Sequence, residues 1–136
     1  MTEEFYKCKQ ETIRGENYAE IVRKARRIYH DLSRQTRRDP FIRSPHFNKE
    51  KVFLNSFWDH LNTKRQKDRK RRLKFYGCAI ELIERNRLRP GAPFKSKTEQ
   101  LFRFKGISAD GQQFIVQIRE ELKTGRKYFT SVFPLE

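Results

Sequence analysis

The sequence predicts an α+β fold, with N-terminal helices packed against a C-terminal antiparallel sheet of three to four strands. Three observations carry this reading. Apolar residues recur at helical spacing from Tyr18 to Leu32 and again from Leu73 to Ile83. Three runs rich in Phe, Ile, Val and Tyr lie between residues 99 and 134, separated by Asp110-Gly111 and Thr124-Gly125. An Asp-Gly pair between β-prone runs signals a hairpin, because a primed turn needs positive φ at its centre.

Taken in order, residues 1–15 show no period and end at Gly15, so irregular structure or a short frayed helix is expected. From Tyr18 the pattern is clear: Tyr18, Ile21, Val22, Ala25, Ile28, Tyr29 and Leu32 take one helix face, and Arg23, Lys24, Arg26 and Arg27 the other. This helix ends before Pro40. Residues 39–48 read as a linker with two prolines. Lys51–Leu54 fits either a short strand (Val52, Leu54) or the start of a helix carrying Phe53, Phe57, Trp58 and Leu61. Residues 64–74 hold eight basic residues against one Asp, then lead into an amphipathic helix of Leu73, Tyr76, Ala79, Ile80 and Ile83 that fades near Asn86. A loop with Pro90-Gly91 and Pro93 follows. The length suits one domain with a modest core. Within it, residues 1–47 read as a helical extension and linker, and 48–136 as the α+β unit.

Strands are expected over 100–107, 113–121 and 127–133. A two-residue Thr124-Gly125 loop places Arg119 opposite Thr130, on a polar face with Gln117 and Val132. The greasy face then carries Phe114, Val116 and Ile118, with Phe129, Ser131 and Phe133 across from them. In the first hairpin a strict two-residue loop would put Arg103 in the core. A three-residue loop or a bulge near Gly106 instead aligns Arg103 with Gln117 and Arg119, and the bulge is preferred.

A net charge of +15 is required by no fold and points to partners, nucleic acid first and an anionic membrane surface second. Aromatic residues at 13% argue against a disordered basic tail. Cys8 and Cys78 lack metal-binding spacing, and Cys78 reads as a buried free thiol. No apolar run is long enough for a signal peptide or a membrane span, so a cytoplasmic location with no membrane partner is expected. There is no Gly-rich phosphate loop and no HExxH, and His30, His46 and His60 are scattered. Neither a metal nor a cofactor is expected.

The remaining chemistry suits one reaction, metal-free cleavage of RNA by its own 2′-hydroxyl, where the nucleophile already stands beside the phosphate. His60 is the candidate for proton transfer. Arg119, helped by Arg103 and Lys127, could hold the phosphate, and Thr130 or Ser131 could donate a hydrogen bond. Lys64, Arg65, Lys67, Arg69, Lys70, Arg71 and Arg72 are candidate phosphate contacts. Each of these also has a plain structural use. His60 lies in FWDHL and could pack or cap, Arg119 could pair with Glu99 or Glu121, and the basic run could be a solvated helix face.

The arrangement resembles the superfamily of metal-independent ribonuclease toxins that groups barnase, EndoU-type, colicin-type and RelE-type enzymes. The resemblance rests on a helix carrying His60 and Leu61 followed by a sheet ending in RKYFTSVFP, and is nearest the small phage and mobile-element branch. FLNSFWDHLNTKRQKDRKRRLKFYGCAIELIERN, LFRFKGIS and FIVQIRE are also similar to small proteins of minimal-genome bacteria. It covers residues 48–134. It implies that His60 is the helix histidine, Arg119 the strand arginine, and Thr130 or Ser131 the terminal-strand hydroxyl, with Lys127 and Tyr128 as auxiliary groups.

The resulting expectation is a toxin-like endoribonuclease acting on tRNA, mRNA or rRNA, with a possible protein inhibitor. A non-catalytic RNA- or ribosome-binding protein is the alternative. A third reading is a toxin–antitoxin component whose helix over 16–38 docks a partner protein.

Overall fold

The computed structural model describes residues 4–135. Over them the chain runs β1 (Tyr6–Lys7), α1 (Tyr18–Ser33), β2 (Phe41–Ser44), a 3-10 turn (Pro45–Phe47), β3 (Glu50–Phe53), α2 (Asn55–Leu61), α3 (Gln66–Leu73) and α4 (Tyr76–Arg85), then β4 (Phe94–Lys95), β5 (Glu99–Ile107), β6 (Gln113–Glu121) and β7 (Lys127–Pro134). The α+β class holds, but helices lie between strands, and the sheet is larger than the expected meander. Its seven strands run β1-β5-β6-β7-β3-β2, with β4 beside β5. It is also mixed, because β1 pairs parallel to β5 and β3 parallel to β7.

The two unexpected edges have physical causes. β1 is ordered by Glu81 of α4, whose carboxylate accepts from Tyr6 Oη at 2.7 Å and from the Lys9 and Gln10 N–H groups at 2.9 and 3.2 Å. The expected linker contains β2, which pairs with β3 and turns Ile42 and Ser44 inward while Phe41 and Arg43 face out. Lys51–Leu54 takes the strand option, and the helix begins only at Asn55. Ile21 and Ala25 of α1 and Ile42 of β2 join the same buried cluster as α2, α4 and the central strands.

Both hairpins close on longer loops than a two-residue turn. Ile107 pairs with Gln113, and the loop between them is pinned because the Asp110 carboxylate accepts from Thr12 N–H and Oγ1. No bulge is needed: Arg103 faces Gln117 directly, as the longer loop allows. In the second hairpin the Glu121 N–H donates to the Arg126 carbonyl and the Gly125 N–H to the Glu121 carbonyl, with Gly125 at φ 75°. The four intervening residues slide the register by two, so Arg119 faces Tyr128 rather than Thr130.

A bulge then inserts Thr130 between the Ile118–Phe129 and Gln117–Ser131 pairs. One extra residue reverses the alternation of everything beyond it. Val132 therefore enters the core opposite Val116, while Ser131 and Phe133 leave the face expected for them. Phe129 stays inside and stacks on Phe57 of α2 at 4.9 Å and 17°.

Gly106 sets the spacing of the other end of the core. A Cβ there would meet the Phe114 ring at 2.5 Å and Leu82 Cδ1 at 2.8 Å. Gly106→Ala is expected to cost about 1–3 kcal/mol in urea unfolding through overpacking. Gly91→Ala, with none of the described residues within 4 Å of its added methyl, should stay within about 0.5 kcal/mol of the parent. Equal midpoints for the two variants would contradict this packing.

Candidate active site

α2 is amphipathic at close range. Phe57, Trp58 and Leu61 are buried, which leaves Ser56, Asp59 and His60 on the outer side. The Leu54 N–H donates to the Pro40 carbonyl at 3.0 Å and fixes where the helix departs from β3. On the sheet, Gln117 and Arg119 share a face of β6, Leu101 stands opposite Arg119 on β5, and Thr130 is the bulged residue of β7. These two sets line one open concavity of about 510 Å³, which contains His60, Arg119, Thr130, Gln117, Asp59 and Glu99 among its walls. Three residues singled out from the sequence are thus brought together: His60, Arg119 and Thr130.

The Arg119 guanidinium lies over the Tyr128 ring with Cζ 4.8 Å from its centroid, and Nη1 stands 3.6 Å from Glu99 Oε2. Its Nε is buried with no hydrogen-bond partner among the described residues. The cation is therefore held by an aromatic platform and one lateral carboxylate, with donor capacity left over. Thr130 Oγ1 donates to the Gln117 carbonyl at 3.2 Å and accepts from Gln117 Nε2 at 3.3 Å, and Gln117 Oε1 accepts from Arg103 Nε at 3.1 Å. Arg103 so reaches the concavity through Gln117. The His60 imidazole has its pKa held below the ordinary value by burial first, then by the charges of Lys64 and Arg72. Neutral pH therefore finds it as the free base.

Other residues stand elsewhere. Ser131 does not line the concavity: the bulge turns its hydroxyl to accept from Arg72 Nη1 at 2.6 Å. Lys127, at 4% exposure, faces inward, because it shares a strand face with Phe129. Its Nζ bonds Glu50 and Glu120 at 3.0 Å each, and these carboxylates keep its pKa above the ordinary value against the opposing effect of burial. Tyr128 is the ring beneath Arg119. Within the basic run, Arg69 donates to the Lys64 and Asn62 carbonyls and ties α3 to the end of α2, and Arg71 and Arg72 pair with Asp68. Arg65 and Lys67 are exposed, and Lys64 and Lys70 half-buried.

Sequence reasoning missed Asp59 and Glu99 as walls of this concavity. Asp59 adjoins His60 on the exposed side of α2, and that adjacency was the available signal. The sequence offers Glu99 only as a partner for Arg119, a contact the structure contains. Comparison with protein-family models, curated proteins and solved structures finds no match for this chain.

A titration of the His60 ring protons by NMR should give a pKa below 6.5 in the folded chain, moving back toward 6.5 in Lys64→Gln at low ionic strength. The sign for stability follows: the unfolded chain binds this proton more tightly, so His60 removes stability as pH falls through 6.5 toward its folded pKa. A folded value above 6.5 would contradict the described environment.

Proposed function

We propose that the chain is a metal-independent endoribonuclease that cleaves RNA by attack of a 2′-hydroxyl on the adjacent phosphate. One observation carries the reading: His60 of α2, Arg119 of β6 and Thr130 at the β7 bulge line a single open concavity. A neutral imidazole can take the 2′-proton at pH 7. As the 2′-oxygen–phosphorus bond forms and the phosphorus–5′-oxygen bond breaks, the extra negative charge on the phosphate oxygens would meet Arg119. The departing 5′-oxygen takes a proton from solvent, to which the concavity is open, and the product is a 2′,3′-cyclic phosphate. The net charge of +15 supports attraction of the polyanion.

The Arg119–Glu99 contact favours a second reading, a non-catalytic RNA-binding protein in which that cation is already neutralised. Incubation of purified protein with total RNA and tRNA in EDTA separates the two. Under the first reading cleavage persists in EDTA, falls about 10²–10⁴-fold in His60→Ala and about 10²–10³-fold in Arg119→Ala. Its rate should rise with pH up to the His60 pKa and level off above it. Salt-sensitive binding without cleavage would support the second reading and sink the first.

A further inference from the structure

A row of aromatic side chains crosses the sheet beside this concavity. Phe41 of β2 is the cross-strand partner of Phe53 of β3, Phe53 of Tyr128 on β7, and Tyr128 of Arg119 on β6. The ring centroids are 6.1 Å apart for Phe41–Phe53 and 5.9 Å for Phe53–Tyr128. All three rings are half-buried, and each carries a cation over it: Arg43 and Lys51 on Phe41, Arg126 on Phe53 and Arg119 on Tyr128. β2 and β3 repeat one pattern, Phe41 with Arg43 and Phe53 with Lys51, an aromatic and an exposed cation two residues apart on one strand. Since side chains alternate along a strand, each such pair shares a face. Arg43 pairs with Lys51, and Arg126, exposed in the loop just before β7, joins that row with its guanidinium over Phe53.

The sheet therefore presents a row of rings beside a row of cations. Lys51 Nζ lies 4.6 Å from the Phe41 centroid and Arg126 Cζ 4.7 Å from that of Phe53. Arg37 and Arg38 add two more exposed cations at the Phe41 end, where Asp39 is the acidic wall residue. Glu50, the acidic residue beside Lys51, is already bonded to the buried Lys127. A ligand complementary to this surface has flat π faces at one edge and a line of negative charge at the other. A single nucleic-acid strand has that chemistry, whereas in a duplex the bases are stacked on each other and their faces are closed to the protein.

We propose that Phe41, Phe53 and Tyr128 form a stacking platform for single-stranded RNA, with Arg43, Lys51 and Arg126 along its phosphates, leading the strand to Arg119. Arg43 and Lys51, which rest on Phe41, and Arg126, which rests on Phe53, have flexible stems, and a base can displace them toward its own phosphate, while Arg119 keeps its place over Tyr128, where the platform meets the concavity. The platform itself rests on the two rows alone. Only its naming of single-stranded RNA as the substrate class rests on the ribonuclease reading.

The test is fluorescence-anisotropy binding of a 2′-O-methyl single strand, which cannot be cleaved by its own 2′-oxygen, beside a duplex of the same sequence. The single strand is expected to bind more tightly. Phe41→Leu and Phe53→Leu keep the apolar contact and lose the ring, and each should weaken single-strand binding about fivefold or more. Arg43→Gln with Lys51→Gln, both at exposed residues, should lower the salt slope by about 1.4. Equal affinity for duplex and single strand, or for polyglutamate and RNA, would overturn the platform. So would unchanged binding in the phenylalanine variants, with thermal unfolding confirming that they fold. Should a phenylalanine variant not fold, the double glutamine variant decides, and an unchanged salt slope overturns the proposal. RNA cleavage that still depends on His60 alongside such a result would leave the ribonuclease reading standing. Ring-dependent binding without cleavage would do the reverse.

Discussion

Thr130 is the extra residue in the β6–β7 ladder, and the arrangement of both sheet faces depends on it. Before it, Lys127 and Phe129 point into the core; after it, Val132 does. Unbroken alternation would set Ser131 against Val116 and put Val132 outside, exchanging an apolar contact for a buried hydroxyl. Thr130 itself lines the concavity, where its hydroxyl both gives and takes a bond with Gln117. Phe129, just before the bulge, is left free to stack on Phe57, and that stack seats α2, the helix that carries His60.

The positive charge of the chain divides into two kinds. Some cations serve the fold. Lys127 joins β7 to Glu120 on β6 and to Glu50 on β3, Arg69 closes the α2–α3 junction, and Arg72 reaches from α3 to Ser131. Lys127 is the buried one among them, and removing a carboxylate partner would leave its charge stranded. Others are exposed beside rings or concavities, among them Arg43, Lys51 and Arg126. These are the cations with field to offer a polyanion. Arg119 lies between the kinds, half-exposed, backed by Tyr128 and flanked by Glu99.

The long periodic elements could be read from the chain because their information is local. α1, α4 and the β5–β6–β7 meander each carry several turns or a full alternation of apolar residues. β1, β2 and β4 are two to four residues long, and their order comes from distant partners such as Glu81 and β3, so no local period announces them. His60, Arg119 and Thr130 were legible as candidates by residue type and strand face. Thr130 kept its face for a reason local pattern does not reveal: the longer loop moved the register by an even number before the bulge acted. Ser131, beyond the bulge, did not. Lys127 was readable and misread, since a residue two before an inward phenylalanine on a regular strand must itself face inward.

The most direct measurement is cleavage, in EDTA, of one RNA sequence supplied as the ordinary ribose form and as its 2′-O-methyl counterpart. Cutting of the ribose strand alone, with 2′,3′-cyclic phosphate ends, is the expected result. Cutting of both strands would mean that the attacking oxygen is not the substrate's own. Cutting of neither would mean that the concavity of His60 and Arg119 holds RNA without acting on it, and the ribonuclease proposal would be wrong.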